Sequence, residues 1–88
     1  DELDLHGMIV PEAAKVLREF VQERAAAGVR CVRVIHGKGI RSGHSGPVLK
    51  PKVARWLRNM NAVLAYATPP PSDGGTGAVY VLLRNPRR

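Results

Sequence analysis

The chain has 88 residues, 44% of them hydrophobic and 24% charged. That composition bounds it to one folded domain with a single modest core and excludes an intrinsically disordered segment. Its apolar runs fall far short of the ~20 residues that cross a bilayer, and no signal-peptide pattern precedes them. The formal net charge is +7, and the lone cysteine, Cys31, excludes an internal disulfide. Cys31 lies in an apolar stretch and is expected to be buried or half-buried.

The stretch "LDLHG" at 3–7 opens the chain. Its alternation predicts a strand over 3–6, with Leu3 and Leu5 on one face and Asp4 and His6 on the other. Residues 10–28 follow as a helix. Pro11 suits its first position, Glu12 the positive end of its dipole and Gly28 its stop. Ala13, Val16, Leu17, Phe20 and Val21 form its apolar stripe. "RCVRVIHG" at 30–37 is β-rich and reads as the second strand. The Gly-rich, basic stretch at 37–46 is a loop. A second helix is expected over 51–60, because Pro51 would break one begun much earlier. Within it Val53, Trp56, Leu57 and Met60 recur at helical spacing, so Trp56 is a core residue and not a base-stacking one. Strands follow at 62–68 and 78–84, joined by 69–77, a flexible connection. Residues 1–2 and 85–88 are expected to be loose ends.

The order β-α-β-α-β-β makes one α/β domain over 1–88, without internal repeats. Right-handed crossovers place both helices on one face of a four-stranded mixed sheet. Alternation then sends Val32, Val34, Val79, Val81 and Leu83 toward the helices. Arg33, Tyr80 and Arg84 go to the other, open face, with Asp4 and His6, as a basic and partly aromatic surface. Tyr80 there is placed either to stack a base or to pack within the sheet.

Charge is distributed unevenly. No acidic residue lies between Arg24 and Ser72, whereas Arg24, Arg30, Arg33, Lys38, Arg41, Lys50, Lys52, Arg55 and Arg58 all do. A field of one sign suits a polyanion, and nucleic acid is the expected partner. The plainer reading of the same charge is solubility. No helix pairs a broad apolar face with a Lys-rich one, so no membrane partner is expected.

Asp4 and His6 share a strand face, where a carboxylate can orient an imidazole for proton transfer. The competing reading is that Asp4 hydrogen-bonds nearby backbone and His6-Gly7 merely ends the strand. "HGKG" at 36–39 repeats the theme. With the first two strands parallel, both His-Gly pairs fall at carboxyl ends of strands, where open α/β sheets place their sites. Glycines there let backbone amides approach a phosphate, with Lys38 and Arg41 supplying charge. GxxxxGK[ST] and GxGxxG are both absent. A tight structural metal site is not expected: His6, His36, His44 and Asp4 lack ligand spacing. A Mg²⁺ or Mn²⁺ ion brought with the substrate phosphate remains open for DNA cleavage.

"LDLHG", "HGKG" and "TGAVYVLL" at 76–83, which fits a TGAxxVxL pattern, together resemble the small MutS-related (Smr) domain. "PVLKPKVARWL" resembles the family's second-helix region. The likeness covers essentially the whole chain and is greatest to the stand-alone bacterial branch, without the extension that often precedes the domain there. It implies a sandwich similar to the C-terminal domain of translation initiation factor three. It also implies nucleic-acid binding with, in many members, DNA nicking or RNA cleavage. The family's motifs fall on Asp4, His6 and Gly7, on His36, Gly37, Lys38 and Gly39, and on Thr76, Gly77 and Ala78.

The resulting expectation is a cytoplasmic, monomeric nuclease domain with little sequence preference. Asp4, His6, His36 and Lys38 form its catalytic set. Gly7, Arg33, Gly37, Gly39, Arg41, Lys50, Thr76, Gly77, Tyr80 and Arg84 contact nucleic acid. The alternatives are a non-catalytic DNA- or RNA-binding module that delivers a partner protein, and a protein-interaction domain with incidental charge. Beginning without methionine, the chain is expected to be a domain excised from a longer protein.

Overall fold

The computed structural model describes residues 1–37 and 46–84, with side chains at 46–48 left aside. Strand β1 spans Glu2–Asp4, helix α1 Val10–Ala26, β2 Cys31–Ile35, α2 Gly46–Arg58, β3 Val63–Ala67 and β4 Ala78–Leu83. Two 3₁₀ turns, Pro71–Asp73 and Gly75–Gly77, precede β4. The expected β-α-β-α-β-β order and four-stranded mixed sheet are both present.

The sheet order is β1-β2-β4-β3. β1 runs parallel to β2, and β4 pairs antiparallel with both β2 and β3. The last strand of the chain thus lies inside the sheet, between β2 and β3. Consequently the carboxyl ends of β1, β2 and β3 and the amino end of β4 share one edge.

Leu17 and Val21 of α1 and Leu49, Val53 and Leu57 of α2 are buried with Val32, Val34, Val81 and Leu83 of the sheet in one cluster. Both helices therefore cover the same sheet face, as right-handed crossovers require. Each buried Leu or Val contributes about 1.5–3 kcal/mol of transfer free energy. The α1 stripe runs Ala13, Leu17, Val21 and Ala25, with Val16 and Phe20 half-buried at its flank. Gly28 ends this helix at φ +86°, and its neighbour Val29 donates its amide back to the Arg24 carbonyl at 3.0 Å. Trp56 and Met60 pack against the core, as expected.

Several boundaries differ from expectation. β1 ends at Asp4, so His6 sits in a turn and not on the strand. α2 begins at Gly46, with Pro51 inside it. The missing Pro51 amide costs one intrahelical bond. Against that, burial of Leu49, Val53 and Leu57 at i, i+4, i+8 draws the segment onto the sheet. Cys31 is exposed on the open face, opposite Leu82. Residues 1–2 are tied down: Glu2 is in β1 and ion-pairs with Arg33, and Asp1 pairs with Arg24 at 3.0 Å. The 69–77 connection carries the two 3₁₀ turns and a buried Pro69. Residues 85–88 lie outside the described residues. Among the described residues no helix is long and apolar enough to cross a membrane.

If Leu57 closes the core between α2 and the sheet, Leu57→Ala will lower unfolding free energy by about 2–5 kcal/mol in urea denaturation. A loss below about 1 kcal/mol would mean that α2 is not seated as described.

Candidate active site

Leu5 is fully buried and donates its amide to the Ile35 carbonyl at 2.7 Å, which fastens the end of β1 beside β2. The Asp4 carboxylate accepts the backbone amide of His6 at 2.9 Å, and Met8 donates to the Leu5 carbonyl at 3.0 Å. A carboxylate that captures an amide two residues on shapes a turn of Asx type. Asp4 thus aims the loop that carries His6 and makes no bond to its imidazole. This is the plainer of the two sequence readings. His6 itself is exposed.

The second corner meets the first. A Cβ added to Gly37 would stand 2.8 Å from His6 Cδ2, so the His6 ring lies directly over this glycine. Gly37 also has φ +83°, a conformation unfavourable for any residue with a Cβ. The amides of His36 and Gly37 both donate to the Gly77 carbonyl, each at 3.0 Å. "LDLHG", "HGKG" and "TGA" therefore converge on one sheet corner. The Gly37 amide is committed to Gly77. Lys38, Gly39, Arg41 and His44 lie outside the described residues.

The two histidines do not share a surface. His36 continues the inward phase of Val32 and Val34 and is only 3% exposed. Its Nδ1–H donates to the Gly37 carbonyl at 2.8 Å, because a carbonyl can only accept. Nε2 is thereby the acceptor of a neutral ring. Burial, with the Lys50 ammonium as a lesser cause, holds the His36 pKa below the usual 6.5 against the opposing effect of the Gly37 carbonyl. His36 lines a cleft of about 240 Å³ with Lys50, Ala54, Tyr66 and Thr68.

The open face is not the basic surface expected. Arg33 and Tyr80 do point outward and pair across β2 and β4. Yet Arg33 ion-pairs with Glu2 and donates to the Asp73 carbonyl at 2.8 Å, and the Tyr80 hydroxyl donates to the Asp73 carboxylate. That carboxylate also raises the Tyr80 pKa, keeping the hydroxyl a donor. Arg84 lies at the opposite end of the sheet, where it donates to the Asn61 carbonyl at 2.9 Å. Among the described residues the ion pairs gather the acids Asp1, Glu2, Glu19 and Glu23, and none involves α2. Lys50, Lys52, Arg55 and Arg58 therefore make α2 the positive element. Arg58 also donates to the Tyr66 hydroxyl at 3.1 Å. Thr76 is exposed in the turn that leads to Gly77.

No three His, Cys, Asp or Glu side chains come together among the described residues. At the corner the Asp4 carboxylate is engaged by the His6 amide.

A family profile described as the Smr domain matches residues 3–84. This chain belongs to the Smr domain family. Within it, the chain is 42% identical over 82 residues to the probable DNA endonuclease SmrA of Escherichia coli, covering 93% of this chain and 44% of that protein. It is 36% identical over 86 residues to the ribosome rescue factor SmrB of Aliivibrio fischeri, covering 98% and 45%. The crystal structure of the Smr domain of Thermus thermophilus MutS2 superposes with a TM-score of 0.85 at 33% identity, covering 96% of this chain and 98% of that one. The chain spans less than half the length of the first two relatives.

Sequence reading of this Smr domain passed over Asp73, which holds both Arg33 and Tyr80. A signal was available, since Asp73 is the sole acidic residue after Glu23. Tyr66 and Thr68, in the cleft wall, carried no such signal: only the placement of β3 beside β4 brings them to His36.

Two outcomes check this geometry. Gly37→Ala should displace the His6 ring and cost about 1–2 kcal/mol for its positive φ, read as a lower melting midpoint and a shifted His6 imidazole resonance. Unchanged His6 resonances would separate the two corners. For His36, folded and unfolded chains are both neutral above pH 6.5. Below that value the unfolded chain takes the proton first, so stability falls as pH drops from 6.5 toward the lowered folded value. The urea midpoint should therefore decline through this window in the parent and much less in His36→Gln. Equal declines would remove His36 as the cause.

Proposed function

We propose that this domain cleaves phosphodiester bonds in nucleic acid, DNA or RNA, at the corner where His6 lies over Gly37. The observation that supports this reading is the exposed His6 imidazole, held over the turn that leads into Lys38. An imidazole moves protons near neutral pH, and a solvent-facing one at a strand-end corner is placed to do so.

His6 takes the proton of the attacking oxygen or returns one to the leaving oxygen. Asp4 acts through the backbone, by holding the turn from which His6 projects. His36 acts as a positioning residue, clamping the Gly37 carbonyl from below. Lys38 is one residue beyond Gly37 in sequence and is assigned to stabilise charge developing on the phosphoryl oxygens. Thr76 and Gly77 hold the corner from the β4 side. Lys50, Lys52 and Arg55 of α2 attract the backbone by charge, without reading sequence. Arg33, Tyr80 and Arg84, already bonded within the fold, are withdrawn from the contact set.

Two relatives carry endonuclease names, SmrA of E. coli and MutS2 of T. thermophilus, which supports cleavage. The ribosome rescue name of the A. fischeri relative supports RNA as one substrate class. A cytoplasmic location is in keeping with a nucleic-acid substrate.

The test uses purified domain and His6→Ala on nicked, branched and single-stranded DNA and RNA, with and without EDTA. Cleavage should drop at least about 100-fold in His6→Ala, while affinity stays within about twofold. Cleavage abolished by EDTA assigns a divalent ion brought with the substrate. Cyclic phosphate ends assign the RNA 2′-hydroxyl as nucleophile. Binding without any cleavage by the parent domain would replace this reading by that of a binding module.

A further inference from the structure

We infer that the cleft between α2 and the edge of the sheet is a nucleobase pocket, holding one unstacked base of the strand whose phosphate lies at the His6 corner. The inference rests on the proposed action on nucleic acid and adds which part of the substrate enters the fold.

Size is the first argument. The cleft holds about 240 Å³, several times the ~30 Å³ share of one water and below the roughly 300–1,000 Å³ of pockets for drug-sized ligands. That is room for a single planar ring system. Its lining is largely apolar, through Val53, Ala54, Leu57 and Ala78, with Tyr66 as an aromatic wall. Nucleobases partition into such sites by stacking and by exclusion of water.

Polar groups make the second argument. His36 is buried in the cleft wall, and its Nδ1 is committed to the Gly37 carbonyl. The remaining nitrogen, Nε2, is an acceptor and makes no hydrogen bond to a described residue. Burial that keeps the ring neutral keeps Nε2 an acceptor at neutral pH. Lys50, exposed on the same cleft, supplies a donor. One acceptor beside one donor matches the N–H and carbonyl or ring-nitrogen edge that every nucleobase presents. The pocket therefore takes a base without strong choice among bases, in keeping with a domain that reads little sequence.

Location completes the case. His36, in the cleft, is bonded to Gly37, and Gly37 lies under the His6 ring. The cleft and the proposed phosphate position are thus separated by the thickness of one glycine backbone at the sheet edge. A nucleotide spans that step, with its phosphate at the edge and its base folded over it. Lys50 of α2 lines the same cleft, and Arg58 of that helix bonds the hydroxyl of its Tyr66 wall. A base locked in a duplex stack cannot make this turn, so the substrate nucleotide is single-stranded or flipped out.

The test walks a single 2-aminopurine, a fluorescent base analogue, along a short DNA single strand bound to the non-cleaving His6→Ala domain. One position should change emission severalfold on binding. Ala54→Leu and Thr68→Ile, each made in the His6→Ala background, fill the cleft from opposite walls. Both should abolish that change while circular-dichroism melts confirm folding. Two variants on separate elements keep the test decisive should one fail to fold. Binding with no responsive position, or a response that survives in both folded variants, gives the cleft to something other than a base and overturns the inference. Failure of the unsubstituted domain to bind any oligonucleotide ends the nucleic-acid reading itself. Binding with a probe response but without cleavage by that domain keeps the pocket and ends only the nuclease reading.

Discussion

The corner depends on one carbonyl. Gly77 accepts the amides of both His36 and Gly37, and through these two bonds the start of β4 fixes where β2 stops. Lying between β2 and β3, β4 is held on both sides, and the turn inherits its rigidity. Gly37 must then adopt a positive φ with no Cβ, and the vacated space is what the His6 ring occupies. Three separated motifs thereby become one surface feature.

Charge is divided by the same topology. On the open sheet face Glu2 of β1 pairs with Arg33, and Asp73 of the 69–77 connection accepts from Arg33 through its carbonyl and from Tyr80 through its carboxylate. The cations of α2 find no acidic partner among the described residues. Lys50, Lys52, Arg55 and Arg58 thus place four cations on one helix, with Lys50 lining the His36 cleft. On the flat sheet face the bonds of Arg33 and Tyr80 to Asp73 brace the turns that deliver Gly77.

Pairing histidines by motif likeness also has a limit that this fold makes visible. His6 and His36 both precede glycine at a parallel strand end, and the sequence around them is alike. One projects from a turn shaped by an aspartate, and the other stays in strand phase and points under a helix. The difference is a single step of the two-residue alternation: β1 has already ended when His6 arrives, whereas His36 continues the inward row of Val32 and Val34. Equivalent motifs thus yield an exposed imidazole at the corner and a buried one beneath it.

What the sequence by itself determined were the features set by near neighbours. Apolar residues at i, i+4 placed α1, and alternation sorted the inward and outward residues of β2 and β4. Glycine and proline marked the turns, and the three ordered motifs were enough to name the family. What only the tertiary structure decided were relations between distant residues. These include β4 entering between β2 and β3, Pro51 retained within α2 by burial of its neighbours, and Asp73 reaching Arg33 and Tyr80. The cleft belongs here too, since its walls come from α2, β3, β4 and the residue that follows β2. Local spacing carries the period of an element. It does not carry which elements lie side by side, because that choice is made by burial of the whole core at once.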